Sequence, residues 1–168
     1  MKLVPPDTTE RLQLVADWLT RKENYQWLDF GDGHRRLSPE WMRITMQRGI
    51  DVFRIFTADD DESPIGVVGL GNVNQVFKTA HIWVALGDRA YAGRGYATRA
   101  FSKMLTVGFE ELGLRAINTW CVEHNHSVGL VKRNGFKAMG RQRQCHYIDG
   151  RAYDRLWFDL LASEHKEI

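Results

Sequence analysis

Asp88-Arg89-Ala90-Tyr91-Ala92-Gly93-Arg94-Gly95-Tyr96-Ala97-Thr98 joins a strand-like run to a helix-like one, and its reading decides the fold. Glycine at 93 and 95 lets the backbone turn tightly and come close to an anion. The first N–H groups of a helix lack internal partners and lie at the positive end of its dipole, so an anion there collects several backbone hydrogen bonds. Arg89, Arg94 and Arg99 are near enough in sequence to add positive charge. The spacing argues against two familiar phosphate sites. A P-loop places Lys and then Ser or Thr after its second glycine, where this chain has Tyr96. A dinucleotide fingerprint places Gly or Ala where this chain has Thr98, and follows a strand near the start of a parallel sheet. Two readings stay open: a tight turn with a packing glycine, and a turn that holds a diphosphate.

Upstream of this turn, residues 52–58 and 65–70 read as strands that pair antiparallel across the exposed turn Asp59-Asp60-Asp61-Glu62-Ser63-Pro64, and residues 79–86 supply a third run. Downstream, Ala97, Phe101, Met104, Leu105 and Leu112 recur as one apolar helix face, which Gly113 ends. Residues 115–122 form the next strand. Residues 127–134 form a short helix stopped by Gly135, and runs at 136–139 and 155–161 flank the turn Asp149-Gly150. Toward the N-terminus, Thr8 or Thr9 caps a helix whose apolar residues are Leu12, Val15, Ala16 and Leu19. Ser38-Pro39-Glu40 starts another, with Pro39 where a missing N–H costs nothing. Between them, residues 24–36 read as a loop or broken helix, with Trp27, Leu28 and Phe30 as contacts for a substrate. The order of elements predicts an α/β (α+β) fold, a mixed central sheet covered by helices on both faces and only partly parallel.

A chain of 168 residues, 43% of them hydrophobic, is expected to fill one core, so residues 1–168 are read as a single domain. Its 23 Lys and Arg nearly balance 21 Asp and Glu, which leaves a weak external field and argues against general nucleic-acid binding. No uncharged apolar run approaches the length of a bilayer span, and no apolar stretch follows Lys2 as in a secretory leader. Cys121 and Cys145 are too few for a disulfide framework, so a reducing, cytoplasmic setting is expected.

The turn resembles the coenzyme A signature of the GNAT acetyltransferase superfamily, Gln/Arg-x-x-Gly-x-Gly/Ala. The likeness continues through Asn125-His126-Ser127-Val128-Gly129-Leu130-Val131-Lys132-Arg133-Asn134-Gly135-Phe136, similar to the family's second motif. Asp149-Gly150-Arg151-Ala152-Tyr153-Asp154 and the strand after it resemble the closing hairpin of the branch containing ribosomal-protein N-terminal acetyltransferases. The residue that opens the signature falls on Ala90, with Arg89 one place earlier. The resemblance implies acetyl-CoA as cosubstrate, with N–H groups from Ala92, Gly93, Arg94, Gly95, Tyr96 and Ala97 on its diphosphate. It also implies main chain from Val84 to Leu86 pairing with the pantetheine arm, Asn125 bonded to that arm, and a slot where two strands splay.

Transfer from a thioester to an amine needs a neutral nitrogen, whereas a lysine-type amine has a pKa of about 10.4 and a peptide α-amine of about 7.7 to 8.0. A base must therefore take a proton, donors must meet the developing oxyanion, and an acid helps the thiolate leave. The position that carries a Tyr acid in many family members is Val131 here, which cannot donate. Ser127 stands in as acid by resemblance, or alternatively caps its helix. His81, Glu123, His124 and His126 are the candidate bases, with Tyr147 a further one. His81 shares a strand face with Trp83 and Ala85, so it either lines the slot or packs in the sheet. Cys121, His124 and His126 do not complete a tetrahedral set, and no metal is expected. The reading is thus direct acetylation of a primary amine, either a small molecule or a protein N-terminus. A coenzyme A-binding sensor without catalysis is the alternative, and a homodimer is compatible with both.

Overall fold

A computed structural model describes residues 1–29, 38–60 and 62–168. Phe30, expected among the substrate contacts, and Asp61, in the exposed turn, lie outside the described residues. The chain runs β1 (Leu3–Val4), α1 (Thr9–Leu19), α2 (Lys22–Tyr25), α3 (Pro39–Gln47), β2 (Val52–Thr57), β3 (Pro64–Asn74) and β4 (Thr79–Leu86). It continues with α4 (Tyr96–Thr106), β5 (Ala116–Val122), α5 (Ser127–Arg133), β6 (Lys137–Ile148) and β7 (Arg151–Leu161). One seven-stranded sheet results, in the order β1-β2-β3-β4-β5-β7-β6.

Local chemistry sets the helix ends. Thr8 accepts a hydrogen bond from the Arg11 N–H at the start of α1. Ser38 accepts from the Trp41 N–H, with Pro39 in the first turn of α3. Gly113 and Gly135 adopt positive φ after the helical segments before them, where a side chain would be strained. The sheet separates two apolar clusters. On one face, α1 and Met42 of α3 cover Phe53, Ile55, Val67, Trp83 and Ala85. On the other, α4 and α5 cover Leu70, Ile82, Ile117, Cys121 and Phe158.

Every neighbouring pair of strands is antiparallel except β4 with β5. That parallel pairing is short: Thr79 with Ala116, Ala80 with Ile117, and His81 with Asn118. Beyond His81 the two strands separate, although each remains fully paired on its outer side, β4 with β3 and β5 with β7. The sheet therefore forks at its centre.

Two expectations need correction. The closing hairpin is far longer than the runs 136–139 and 155–161, because polar residues 141–144 continue an exposed edge strand that has no apolar alternation to betray it. The short strand β1 was not anticipated; it pairs with β2 through Leu3 opposite Phe56 and Val4 opposite Ile55.

Candidate active site

The fork opens into a cleft of about 1160 Å³ that passes through the sheet. Side chains alternate across a strand, so the register assigns the two mouths. His81, Trp83, Trp120 and Trp157 face the α1–α3 side, where His81 lies 6.1 Å from Trp120 and 6.4 Å from Trp157 between ring centroids. Thr119, Cys121, Leu130 and Val131 line the α4–α5 side.

The unpaired edge of β4 has a definite polarity. Thr119 Oγ donates to the Ile82 carbonyl at 2.8 Å, and Asn24 Nδ2 donates to the Leu86 carbonyl at 3.1 Å. Both carbonyls thus point into the fork, and the two-residue period of a strand turns the N–H and C=O of Val84 the same way. Val84 and the Leu86 N–H lie on the unpaired edge of β4, where a strand-like ligand could meet them, while the Leu86 carbonyl is engaged by Asn24. Thr119 is the side-chain substitute for the missing backbone rung at the crotch. Thr119→Val, which keeps the shape and removes the donor, is expected to cost about 1 kcal/mol in urea unfolding.

At the far end of the cleft, Asp88 accepts from the Ala90 N–H at 2.9 Å and shapes the turn, while the Ala92 N–H is spent on the Arg89 carbonyl. The N–H groups of Gly93, Arg94, Gly95, Tyr96, Ala97 and Thr98 donate to no carbonyl or side chain among the described residues. Gly93 and Gly95 hold φ of 75° and 80°, and Gly95 is the N-cap of α4. This is a run of main-chain donors at a helix start, suited to a diphosphate. Ala92 lines the cleft but its N–H is not free, because the single turn of 3₁₀ helix before it closes on Arg89. Arg89, Gly93, Gly95, Tyr96 and Ala97 also line it. Arg94 does not; its guanidinium lies over the Tyr91 ring at 5.3 Å, leaving only its N–H for the site. Arg99 lines the cleft and is paired with Asp59 at 2.9 Å, which holds that carboxyl below the usual range.

Ser127 lines the cleft, as does Cys121, whose pKa is raised by burial. Ser127 does not cap α5. The Asn125 carboxamide oxygen accepts the Ser127 N–H at 2.8 Å, so the side chain that caps by sequence expectation is free for another use. Asn125 also lines the cleft. Val131 is buried there and presents no donor.

The candidate bases separate cleanly. Glu123 is not part of the cleft wall: it accepts the Asp154 N–H at 2.9 Å and faces Arg141 at 3.6 Å, so it ties β5 to β7 instead of ordering a water. Tyr147 is exposed and borders a separate pocket. His124 and His126 are exposed at the cleft mouth. His81 lies at the last β4–β5 pair and in the cleft lining, with Nδ1 2.8 Å from the Asn118 carboxamide oxygen. That oxygen selects the tautomer with Nδ1 protonated, which leaves the lone pair on Nε2. Burial lowers the His81 pKa, outweighing the Asn118 hydrogen bond that raises it, so the ring is neutral at pH 7.

Trp27 and Leu28, named from the sequence as substrate contacts, lie in the cleft lining; how their segment is held had no sequence signal. The segment 21–29 crosses the fork on the His81 side and is pinned to both halves of the sheet. Arg21 donates to the Gly87 carbonyl at 2.8 Å and Asn24 to Leu86, while His146 Nε2 lies 2.7 Å from the Gln26 carbonyl. Arg155 Nε approaches His146 Nδ1 at 3.2 Å, and its guanidinium lies 3.9 Å from the Trp120 ring centroid. Three of these contacts join residues 62, 66 and 120 positions apart, invisible to local pattern.

Comparison with known proteins places these features in context. A family model described as "Acetyltransferase (GNAT) domain" matches residues 1–137. The Bacillus subtilis (strain 168) protein "Putative ribosomal N-acetyltransferase YdaF" is 29% identical across 98% of this chain and 91% of its own length. "Uncharacterized N-acetyltransferase p20" of Bacillus licheniformis is 32% identical across 73% of this chain and 68% of its own. Among solved structures, spermidine N-acetyltransferase from Vibrio cholerae in complex with CoA and spermine superimposes with a TM-score of 0.84 at 18% identity, over 97% of this chain and 96% of that one. At that identity the likeness is one of fold.

Proposed function

The chain belongs to the GNAT acetyltransferase family, and from that premise we propose that it transfers an acetyl group directly from acetyl-CoA to a primary amine, on a small molecule or a protein N-terminus. We place this activity in a single cytoplasmic domain, residues 1–168; no helix among the described residues is long and apolar enough to cross a membrane. The observation that carries the reading is the fork, where unspent main-chain donors and a neutral histidine open onto one cleft.

The cosubstrate supplies an acyl group already activated as a thioester. The N–H groups of residues 93–98, with Arg89, bind its diphosphate. Val84 main chain pairs with the extended arm as an added strand would, and Asn125 orients it. His81 Nε2 takes the proton of the acceptor amine, with Asn118 holding the ring in position. Ser127 Oγ, beside Cys121, donates toward the departing sulfur. Alignment of the two reactants in one cleft contributes much of the acceleration, since pre-organised reactants avoid an entropic cost.

The test is thermal unfolding with acetyl-CoA, CoA and NAD, followed by thiol release with mixed amines. At a hundredfold excess over Kd, acetyl-CoA is expected to add about 2.7 kcal/mol of stability, and NAD none. Thiol release then confirms the enzyme. Stabilisation without release across peptide and small-amine panels supports the silent sensor, for which the buried Val131 is the motive. No stabilisation overturns both.

A further inference from the structure

Arg155 borders the smaller pocket that adjoins the cleft on its His81 side. It projects from β7 on the His81 face of the sheet, and its guanidinium stacks 3.9 Å from the Trp120 centroid. The His81 ring stacks on that same indole at 6.1 Å. Laid end to end, these two distances set the largest separation between the cation and the proposed base. The charges of Arg155 and Asp29 both register on the His81 titration. The smaller pocket, of about 350 Å³, shares Gln26 and Leu28 with the main cleft, so the two spaces adjoin.

The guanidinium is unusually well held for a surface residue, with its side chain only 13% exposed. His146 fixes it on one side at 3.2 and 3.0 Å, and His146 is itself fixed by the Gln26 carbonyl. Its counter-ion is held much less firmly. Asp29 meets it through long contacts of 3.2 and 3.3 Å, and the Asp29 side chain is 70% exposed. A rigid, stacked guanidinium with a loosely placed surface carboxylate is a site that another carboxylate can take by exchange. Arginine suits this use because its planar fork engages both oxygens of a carboxylate.

We propose that Arg155 binds a carboxylate carried by the acceptor, so that the preferred substrate is a primary amine with a carboxylate a few bonds away, and Asp29 is the group it displaces. This rests on the reading of His81 as the base, because the amine must reach Nε2 while its carboxylate reaches the guanidinium. A polycationic amine is disfavoured by the same residue, since Arg155 would face its second charge.

Matched acceptors test it on the full chain with acetyl-CoA. The series glycine, 4-aminobutyrate and 6-aminohexanoate is compared with the corresponding amides and with spermidine, and peptides with aspartate or asparagine as second residue form a separate arm. The expected result is at least a tenfold higher kcat/KM for one carboxylate over its amide; the small-molecule and peptide arms show which source supplies it. Arg155→Gln should bring that ratio to about one, and Arg155→Lys should restore part of it. Asp29→Asn, on an exposed side chain, should lower KM for the carboxylate several-fold and leave the amide unchanged. Equal use of carboxylates and amides, or preference for spermidine, overturns the proposal while leaving the acetyltransferase intact. If no amine is acetylated, the function proposed above fails. Saturable quenching of tryptophan fluorescence by the carboxylate series, absent with the amides and abolished in Arg155→Gln, then still decides the carboxylate site, and its absence overturns it.

Discussion

Replacing His81 with alanine is expected to lower kcat by at least about 100-fold, within the roughly 10²–10⁴ range for loss of a positioned general base. His81 occupies the last residue pair before the fork, its Nδ1 is committed to Asn118, and Nε2 is left as the basic nitrogen in a cleft-lining side chain. Burial depresses its pKa below 6.5, so the base form survives to lower pH than in an exposed histidine. The acid limb that His81 imposes on kcat/KM therefore falls below 6.5, and it disappears in the alanine variant, leaving only the titration of the amine. Acetyl-CoA must still stabilise the variant thermally, which separates lost chemistry from lost folding. Asn118→Ala keeps the imidazole but frees its tautomer, so about a tenfold loss is expected. An unchanged rate in His81→Ala would return the histidine to a packing role.

Gly95→Val is expected to raise the KM for acetyl-CoA by about 10- to 100-fold, equivalent to losing one charge-assisted hydrogen bond of roughly 1.5–3 kcal/mol. Space is not the obstacle, because a Cβ added at Gly95 meets nothing within 4 Å. Conformation is. Gly95 sits at φ 80° as the N-cap of α4, and a β-branched residue there is a genuine outlier. Relaxing the strain moves the N–H groups of the turn away from a common focus. The Arg99 N–H bond to the Gly95 carbonyl, 3.1 Å, is lost in the same movement. Titration of kcat/KM against acetyl-CoA, alongside unliganded thermal unfolding, distinguishes a binding defect from a global one. Gly93→Ala, at φ 75°, should show the same direction with a smaller amplitude.

Much of the frame was legible because its signals are local. Thr8, Ser38 and Pro39 announce helix starts, and β4 and α5 follow from apolar runs bounded by glycine or turn residues. The proposed cofactor side of the site is also local: one turn and one helix start carry Gly93, Gly95 and the free N–H groups. The acceptor side is not. Glu123 looked available at a strand end, but only the partner strand reveals that Asp154 claims it. His81 had two local readings, packing in the sheet ahead of lining the slot, and its ring partner, Asn118, is 37 positions away. Arg155 carried no signal at all, since its environment is assembled from residues 26, 29, 120 and 146. Sites built by one turn can be read from sequence; sites built by converging strands need the fold.

The short seam between β4 and β5 has a mechanical consequence. Among the described residues, three residue pairs, the Thr119 bond and the His81–Asn118 bond join the two plates of the sheet at the fork, while each plate is braced by its own outer partners. Such a sheet is stiff within each plate and compliant between them. The segment 21–29 acts as an external strap across the gap, fastened to Leu86 and Gly87 on one plate and to His146 and Arg155 on the other. Any extended chain laid along Val84 completes the missing rungs and serves as a removable rivet. In the proposed complex, rigidity at the fork is conferred by the reactant itself, and departs with the product.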